Sequence, residues 1–63
     1  MYVSTREKII LSAVELFVSQ GVDKTTTREI AANAAVAEGS IYRYFSSKEE
    51  LAWQIFHEHH LYM

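Results

Sequence analysis

With 63 residues, 49% of them hydrophobic and 13% aromatic, the chain has material for one small domain, near the lower size limit for burying a core. The lack of cysteine excludes disulfides and thiolate metal sites, and the lack of proline with only two glycines argues against a turn-rich β fold. The net charge of −2 conceals a modestly basic centre, because residues 24–48 hold Lys24, Arg28, Arg43 and Lys48 against Glu29 and Glu38. That is a weak electrostatic footprint for a nucleic-acid binder. No secretory h-region and no apolar run near 20 residues is found, so a cytoplasmic chain with no membrane partner is expected.

Ser4 and Glu7 have the spacing of a capping box, which predicts a helix from there to Gln20. Gly21 is expected to end it in the left-handed conformation. At about 100° per residue, Lys8, Ser12, Glu15 and Ser19 form a narrow polar strip, and Ile10, Ala13 and Phe17 serve one partner surface. Leu11, Val14 and Val18 form a second apolar stripe. It is expected to pack on the fourth helix, the alternative cover being a further domain outside these residues.

Thr26 and Glu29 repeat the capping box and open a second helix through about Ala34, with Ile30, Ala31 and Ala34 on its apolar face. Val36, in a turn of about three residues, can plug the gap before a third helix, roughly Glu38 to Tyr44, which Ile41 and Phe45 turn inward. Ser47 with Glu50, or Ser46 with Glu49, starts a fourth helix that has no stop signal before Met63. Leu51, Ala52, Ile55, Phe56 and His59 are placed on one side of it and Trp53 on the other. Its uncapped, apolar end through Leu61, Tyr62 and Met63 reads as a chain that is cut or completed by a partner.

The stretch Thr25 to Phe45 is the most informative: two short helices about a tight turn suit a helix held rigidly while its other face enters a DNA groove. Gly39 costs a helix about 1 kcal/mol relative to alanine, and its advantage is a close backbone approach to a phosphate or base edge. Tyr44 is expected to pack and Tyr42 to contact DNA through its hydroxyl. His57 and His60 can share a helix face, but no carboxylate or cysteine completes a metal site around them, so solvated or packing histidines are expected. No metal or cofactor is expected. An enzyme is disfavoured, since there is no Ser/His/Asp grouping, no apolar carboxylate pair and no glycine-rich phosphate loop. The competing class is a small helical protein–protein interaction module that binds a helix through Leu11, Val14, Val18 and the fourth helix.

Ala13, Leu16, Phe17, Gly21, Thr25, Thr26, Ile30, Ala31, Val36, Gly39, Ile41, Tyr42, Tyr44, Phe45, Lys48, Glu49 and Leu51 carry a resemblance. Over about Arg6 to Leu51 the chain resembles the N-terminal domain of the tetracycline-repressor (TetR) family of bacterial transcription regulators. The Tyr-x-Tyr-Phe-x-x-Lys-Glu run is its most specific part. The resemblance implies an all-α bundle spanning residues 1–63: a homeodomain-like three-helix core, a helix-turn-helix over about 26–45, and the start of a connecting fourth helix over 47–63. It implies phosphate contacts from Thr26, Thr27 and Lys48, a phosphate or base contact from Arg28, and backbone clamps at Tyr42 and Arg43. The third helix, with Glu38, Gly39 and Ser40, would lie in the major groove, Ser40 touching base or phosphate.

The implied partners are double-stranded DNA carrying a palindromic operator, a second copy in the full-length protein, and a small-molecule inducer bound by a C-terminal domain absent here. Repression would follow from occlusion of the operator, whereas the fragment itself is expected to be mainly monomeric and to bind DNA weakly. Three departures from the family pattern stand out. Ala35 replaces a usual glycine, at a strain on the order of 1 kcal/mol if φ is positive there. Ala37 replaces a usual serine cap worth about 1 kcal/mol. Glu38 stands where lysine is frequent; its carboxylate repels phosphate, and it either accepts from a cytosine N4 amine or merely caps the helix.

Overall fold

The computed structural model describes residues 3–60, with side chains through His57. Four helices follow one another: α1 (Thr5–Gln20), α2 (Thr27–Ala34), α3 (Glu38–Tyr44) and α4 (Lys48–His60). The fold is all-α, as the capping pattern predicts. Both N-terminal capping boxes form. The Ser4 hydroxyl accepts from the Glu7 N–H at 3.1 Å, and the Glu7 carboxylate accepts from the Ser4 N–H at 3.1 Å. Thr26 and Glu29 do the same at 3.1 and 3.0 Å.

The third cap is built differently. Ser47 accepts from the Glu50 N–H at 3.0 Å, so Ser47 rather than Ser46 is the cap. The Glu50 carboxylate then reaches one residue further back, taking the Ser46 N–H at 2.7 Å and the Ser46 hydroxyl as well. These two bonds, the hydroxyl first, hold the Glu50 carboxyl below its ordinary value of 4.5.

Helix α1 ends where the Gly21 N–H donates to the Phe17 carbonyl at 2.9 Å. Gly21 has the expected positive φ, 87°, but its ψ of 155° is extended. It therefore occupies the region that only glycine visits, not the left-handed helical cap expected from sequence. Between α2 and α3 the left-handed residue is Ala35, with φ 60° and ψ 43°. The Ala35 N–H donates to the Ala32 carbonyl at 3.2 Å and the Val36 N–H to the Ala31 carbonyl at 3.0 Å, the two bonds of a Schellman ending. Val36 packs against the core as predicted, and these contacts hold an alanine in a conformation it disfavours.

Ile9, Ile10 and Ala13 of α1, Ile30 and Ala31 of α2, Ile41 and Phe45 around α3, and Leu51 of α4 form the buried core. Helix α1 packs against each of the other three. The stripe Leu11, Val14, Val18 is not covered by α4 as expected. Val14 reaches the core, but Leu11 is 61% and Val18 82% exposed. The reason is the side on which α4 docks. Arg6, one turn before Ile10, donates to the Gln54 side chain of α4 at 3.3 Å, and its guanidinium lies 5.6 Å from the Phe45 ring centre. Leu11 is about 100° around α1 from Ile10 and faces away.

Helix α4 likewise engages through Leu51 and Ile55, four apart, while Phe56, one residue further round, is 71% exposed and not on the inward side assigned to it. Trp53 stacks on His57 with centroids 4.6 Å apart. The side chains of His59 and His60, and Leu61 to Met63, lie outside the described residues.

Two outcomes follow. Ala35→Gly relieves the left-handed strain and is expected to stabilise the fold by about 0.5–1 kcal/mol, raising the thermal midpoint by a few degrees in circular-dichroism melting. Glu50 has a folded pKa below its unfolded one, so its stabilisation is present above the ordinary carboxylate value and is lost as pH falls through that range. Melting from neutral to acidic pH is expected to show a smaller loss of stability for Glu50→Gln than for the native sequence.

Candidate nucleic-acid interface

The α2–turn–α3 unit is fastened to α1 by polar pins as well as by the core. The buried Ser12 hydroxyl donates to the Ile30 carbonyl at 2.9 Å and accepts from the Asn33 amide at 2.9 Å; that amide also donates to Glu15 at 2.8 Å. Ser12 belongs to the narrow polar strip of α1, and its burial is a tertiary effect. In the α1–α2 loop the fully buried Thr25 hydroxyl donates to the Gly21 carbonyl at 2.7 Å and accepts from Gln20 at 3.2 Å. Gln20 in turn donates to Glu29 at 3.1 Å.

Lys48, expected at a phosphate, has its ammonium on this same loop. It donates to the Asp23 carbonyl at 3.0 Å and the Thr25 carbonyl at 2.9 Å. An ammonium has three N–H donors, so one remains to point outward.

The starts of α2 and α4 come together beside Tyr42. They border an open cleft of about 310 Å³ lined by Thr25, Thr26, Thr27, Tyr42, Ser46, Ser47, Lys48 and Glu49. Four of the residues singled out from sequence thus share one concavity: Thr26, Thr27, Tyr42 and Lys48. Arg28, Glu38, Gly39, Ser40 and Arg43 do not line it. Of these Arg28, Gly39 and Arg43 are exposed, while Glu38 and Ser40 are half-buried.

Ser46, Ser47 and Glu49 are not among the site residues expected from sequence, where the serines enter as caps and Glu49 as a cap partner and a residue of the family motif. Their spacing could have placed them here only if the start of α4 were known to face the start of α2.

Within this surface the hydroxyls are already engaged. Thr26 caps α2. Thr27 donates to the Glu38 carboxylate at 2.7 Å, and its hydroxyl oxygen lies 3.0 Å from the Tyr42 hydroxyl. Glu38 makes no cap bond to its own helix, and the Ala37 position has no side-chain cap, as expected for alanine. Tyr44 is half-exposed with its ring 6.4 Å from that of Phe45, so it packs only in part.

Among the described residues no group of His, Cys, Asp and Glu could hold a metal ion, and no helix is long and apolar enough to cross a membrane.

Residues 9–55 match the family model described as bacterial regulatory proteins, tetR family. The transcriptional regulator TcmR of Streptomyces glaucescens is 44% identical over 48 residues, which are 76% of this chain and 21% of that protein. SrpR of Pseudomonas putida, also a helix-turn-helix transcriptional regulator, is 45% identical over 47 residues, 75% of this chain and 22% of its own length. The solved structure of the fatty acid degradation regulator FadR from Bacillus halodurans matches with a TM-score of 0.82 at 33% identity, over 92% of this chain and 31% of that one. The chain thus spans less than a third of each of these proteins.

The Lys48 bonds to the loop have a direct consequence. Lys48→Met is expected to lower stability by about 1–2 kcal/mol in the absence of any ligand, because two carbonyls lose a charged donor. Urea unfolding of the two chains at one ionic strength measures this.

Proposed function

The chain belongs to the tetR family of bacterial regulatory proteins, and on that premise we propose that it docks on double-stranded DNA with α3 in the major groove. It is the DNA-binding regulatory domain of a transcription regulator and not an enzyme. The observation that carries the docking geometry is the polar cleft bordered by the starts of α2 and α4, beside the exposed side of α3. Free N–H groups and the positive dipole end at each helix start favour an anion, so a backbone phosphate fits there. The first-turn N–H groups of α2 at Thr27 and Arg28 and the remaining Lys48 N–H supply donors. Thr26 orders this turn by capping it.

Arg28 and Arg43, each next in sequence to a residue that lines the cleft, are exposed cations for further phosphates or, for Arg28, a base edge. Gly39 and Ser40 face the bases. A Cβ added at Gly39 would meet nothing within 4 Å, so the fold itself does not require glycine there. A helix position that forgoes about 1 kcal/mol without an internal reason supports a close external approach.

In the longer protein, two copies would place their α3 helices in successive major grooves about 34–36 Å apart, on a palindromic operator. Dimerisation and a small-molecule inducer would belong to a C-terminal domain, and inducer binding would move the two helices out of register with the grooves. Bound in the cytoplasm across a promoter, such a dimer represses by occlusion. The isolated domain is mainly monomeric and binds weakly, since linkage of half-sites supplies much of the affinity.

An NMR titration of the 63-residue chain with duplex DNA, at low salt and again at about 0.2 M, tests the docking. Shifts are expected at Thr26 to Arg28, Gly39 to Arg43 and Lys48, fading at the higher salt. Absence of shifts at low salt would rule this face out and favour a protein-interaction module. Gly39→Ala is expected to stabilise α3 by about 1 kcal/mol and to weaken the DNA-induced shifts.

A further inference from the structure

We propose that Glu38 is a specificity residue that selects cytosine at one position of the DNA site, with Thr27 and Tyr42 as the positioning residues that aim its carboxylate. The inference rests on the docking proposed above and concerns which base that docking prefers.

The argument starts from proton counting. Thr27 has one hydroxyl proton, and its oxygen lies 2.7 Å from Glu38 Oε2 and 3.0 Å from the Tyr42 hydroxyl. An ionised carboxylate can only accept, so the Thr27 proton goes to Glu38. The Thr27 oxygen is then the acceptor for Tyr42, which must donate. The direction Tyr42 to Thr27 to Glu38 follows. It links the first residue of α3, the first residue of α2 and the second turn of α3 in one relay.

This relay does two things to Glu38. It fixes Oε2 on a side chain already half-buried between two helices. It also leaves Oε1 without a hydrogen bond from the described residues, as an acceptor that carries no donor of its own. Among the described residues the carboxylate makes no cap bond to α3, and its hydrogen bond within the fold is the one from Thr27 to Oε2.

An acceptor-only group at the N-terminal end of a helix in the major groove sorts the four base pairs by chemistry. Cytosine presents its N4 amine as a donor. Adenine offers the N6 amine beside the N7 acceptor, which a carboxylate repels, and guanine and thymine present acceptors on their hydrogen-bonding edges. Cytosine is therefore favoured, adenine second. The negative charge also opposes phosphate, which weakens binding to all sequences alike and leaves a larger share of the affinity to the base contact.

The experiment is a selection of bound duplexes from a randomised DNA library at low salt, by the native 63-residue chain and by Glu38→Gln, Thr27→Val and Thr27→Ser. Each chain is first checked for folding by circular dichroism. The native chain is expected to enrich cytosine about fivefold at one position, the lower end of what one base contact supplies. Glu38→Gln, which can pair with adenine N6 and N7 together, should move the preference at that position to adenine. Thr27→Val should flatten the preference among the duplexes it retains, and Thr27→Ser, which keeps the hydroxyl, should restore it.

Binding by the native chain without cytosine enrichment, or an unchanged preference in Glu38→Gln, overturns the base assignment and leaves the docking intact. A full cytosine preference in Thr27→Val overturns the positioning role. No binding by the native chain at low salt overturns the docking and the base assignment together.

Discussion

Helix α3 has seven residues, fewer than two turns, and no side-chain cap at its start. A helix of that length does not persist in water by its own hydrogen bonds. It exists because Ile41 and Phe45, one turn apart, are buried among Ile9, Ile30 and Leu51 from the other three helices. Everything presented on its outer side is therefore placed by those two inward side chains. Their register decides which residues of α3 can face a ligand.

Polar pins complete what the small core begins. Ser12 and Asn33 tie α2 to α1, Thr25 ties the loop to the end of α1, and Lys48 ties the start of α4 to that loop. Several of these groups belong to residues that family resemblance assigns to DNA. Thr26 caps, Thr27 and Tyr42 join the relay to Glu38, and Lys48 holds two carbonyls. Within the cleft, the donors that remain are backbone N–H groups and one ammonium proton, already oriented before any ligand arrives. Such a surface loses little side-chain freedom on docking.

Local costs are accepted where tertiary contacts outweigh them. Ala35 is held left-handed by the two Schellman bonds and by burial of Val36 beside it. Glycine would fit the backbone with less strain. The exposed Leu11 and Val18 on α1 and Phe56 on α4 are surface that this domain does not cover itself. The relatives, of which this chain spans less than a third, have far more chain than the domain.

The sequence by itself determined the elements and their limits. Capping boxes at Ser4 and Thr26, the three-residue turn and the Ile41–Phe45 spacing are local signals, written within a few residues of where they act. The helix-turn-helix and its family were legible for the same reason, and so was the missing cap at Ala37, whereas a positive φ at Ala35 entered only as a condition that the structure then met. Only the tertiary structure decided what depends on pairs distant in sequence. Which side of α1 receives α4 is settled by how Arg6, Gln54 and Phe45 meet, so the uncovered stripe at Leu11 and Val18 could not be foreseen from α1 alone. The engagement of Lys48 with a loop 25 residues earlier at Asp23, and of Glu38 with Thr27 across 11 residues, arises only when the helices cross. Periodicity reports which face of a helix is apolar, but a hydrogen bond needs a partner's position in space, and that is set by packing.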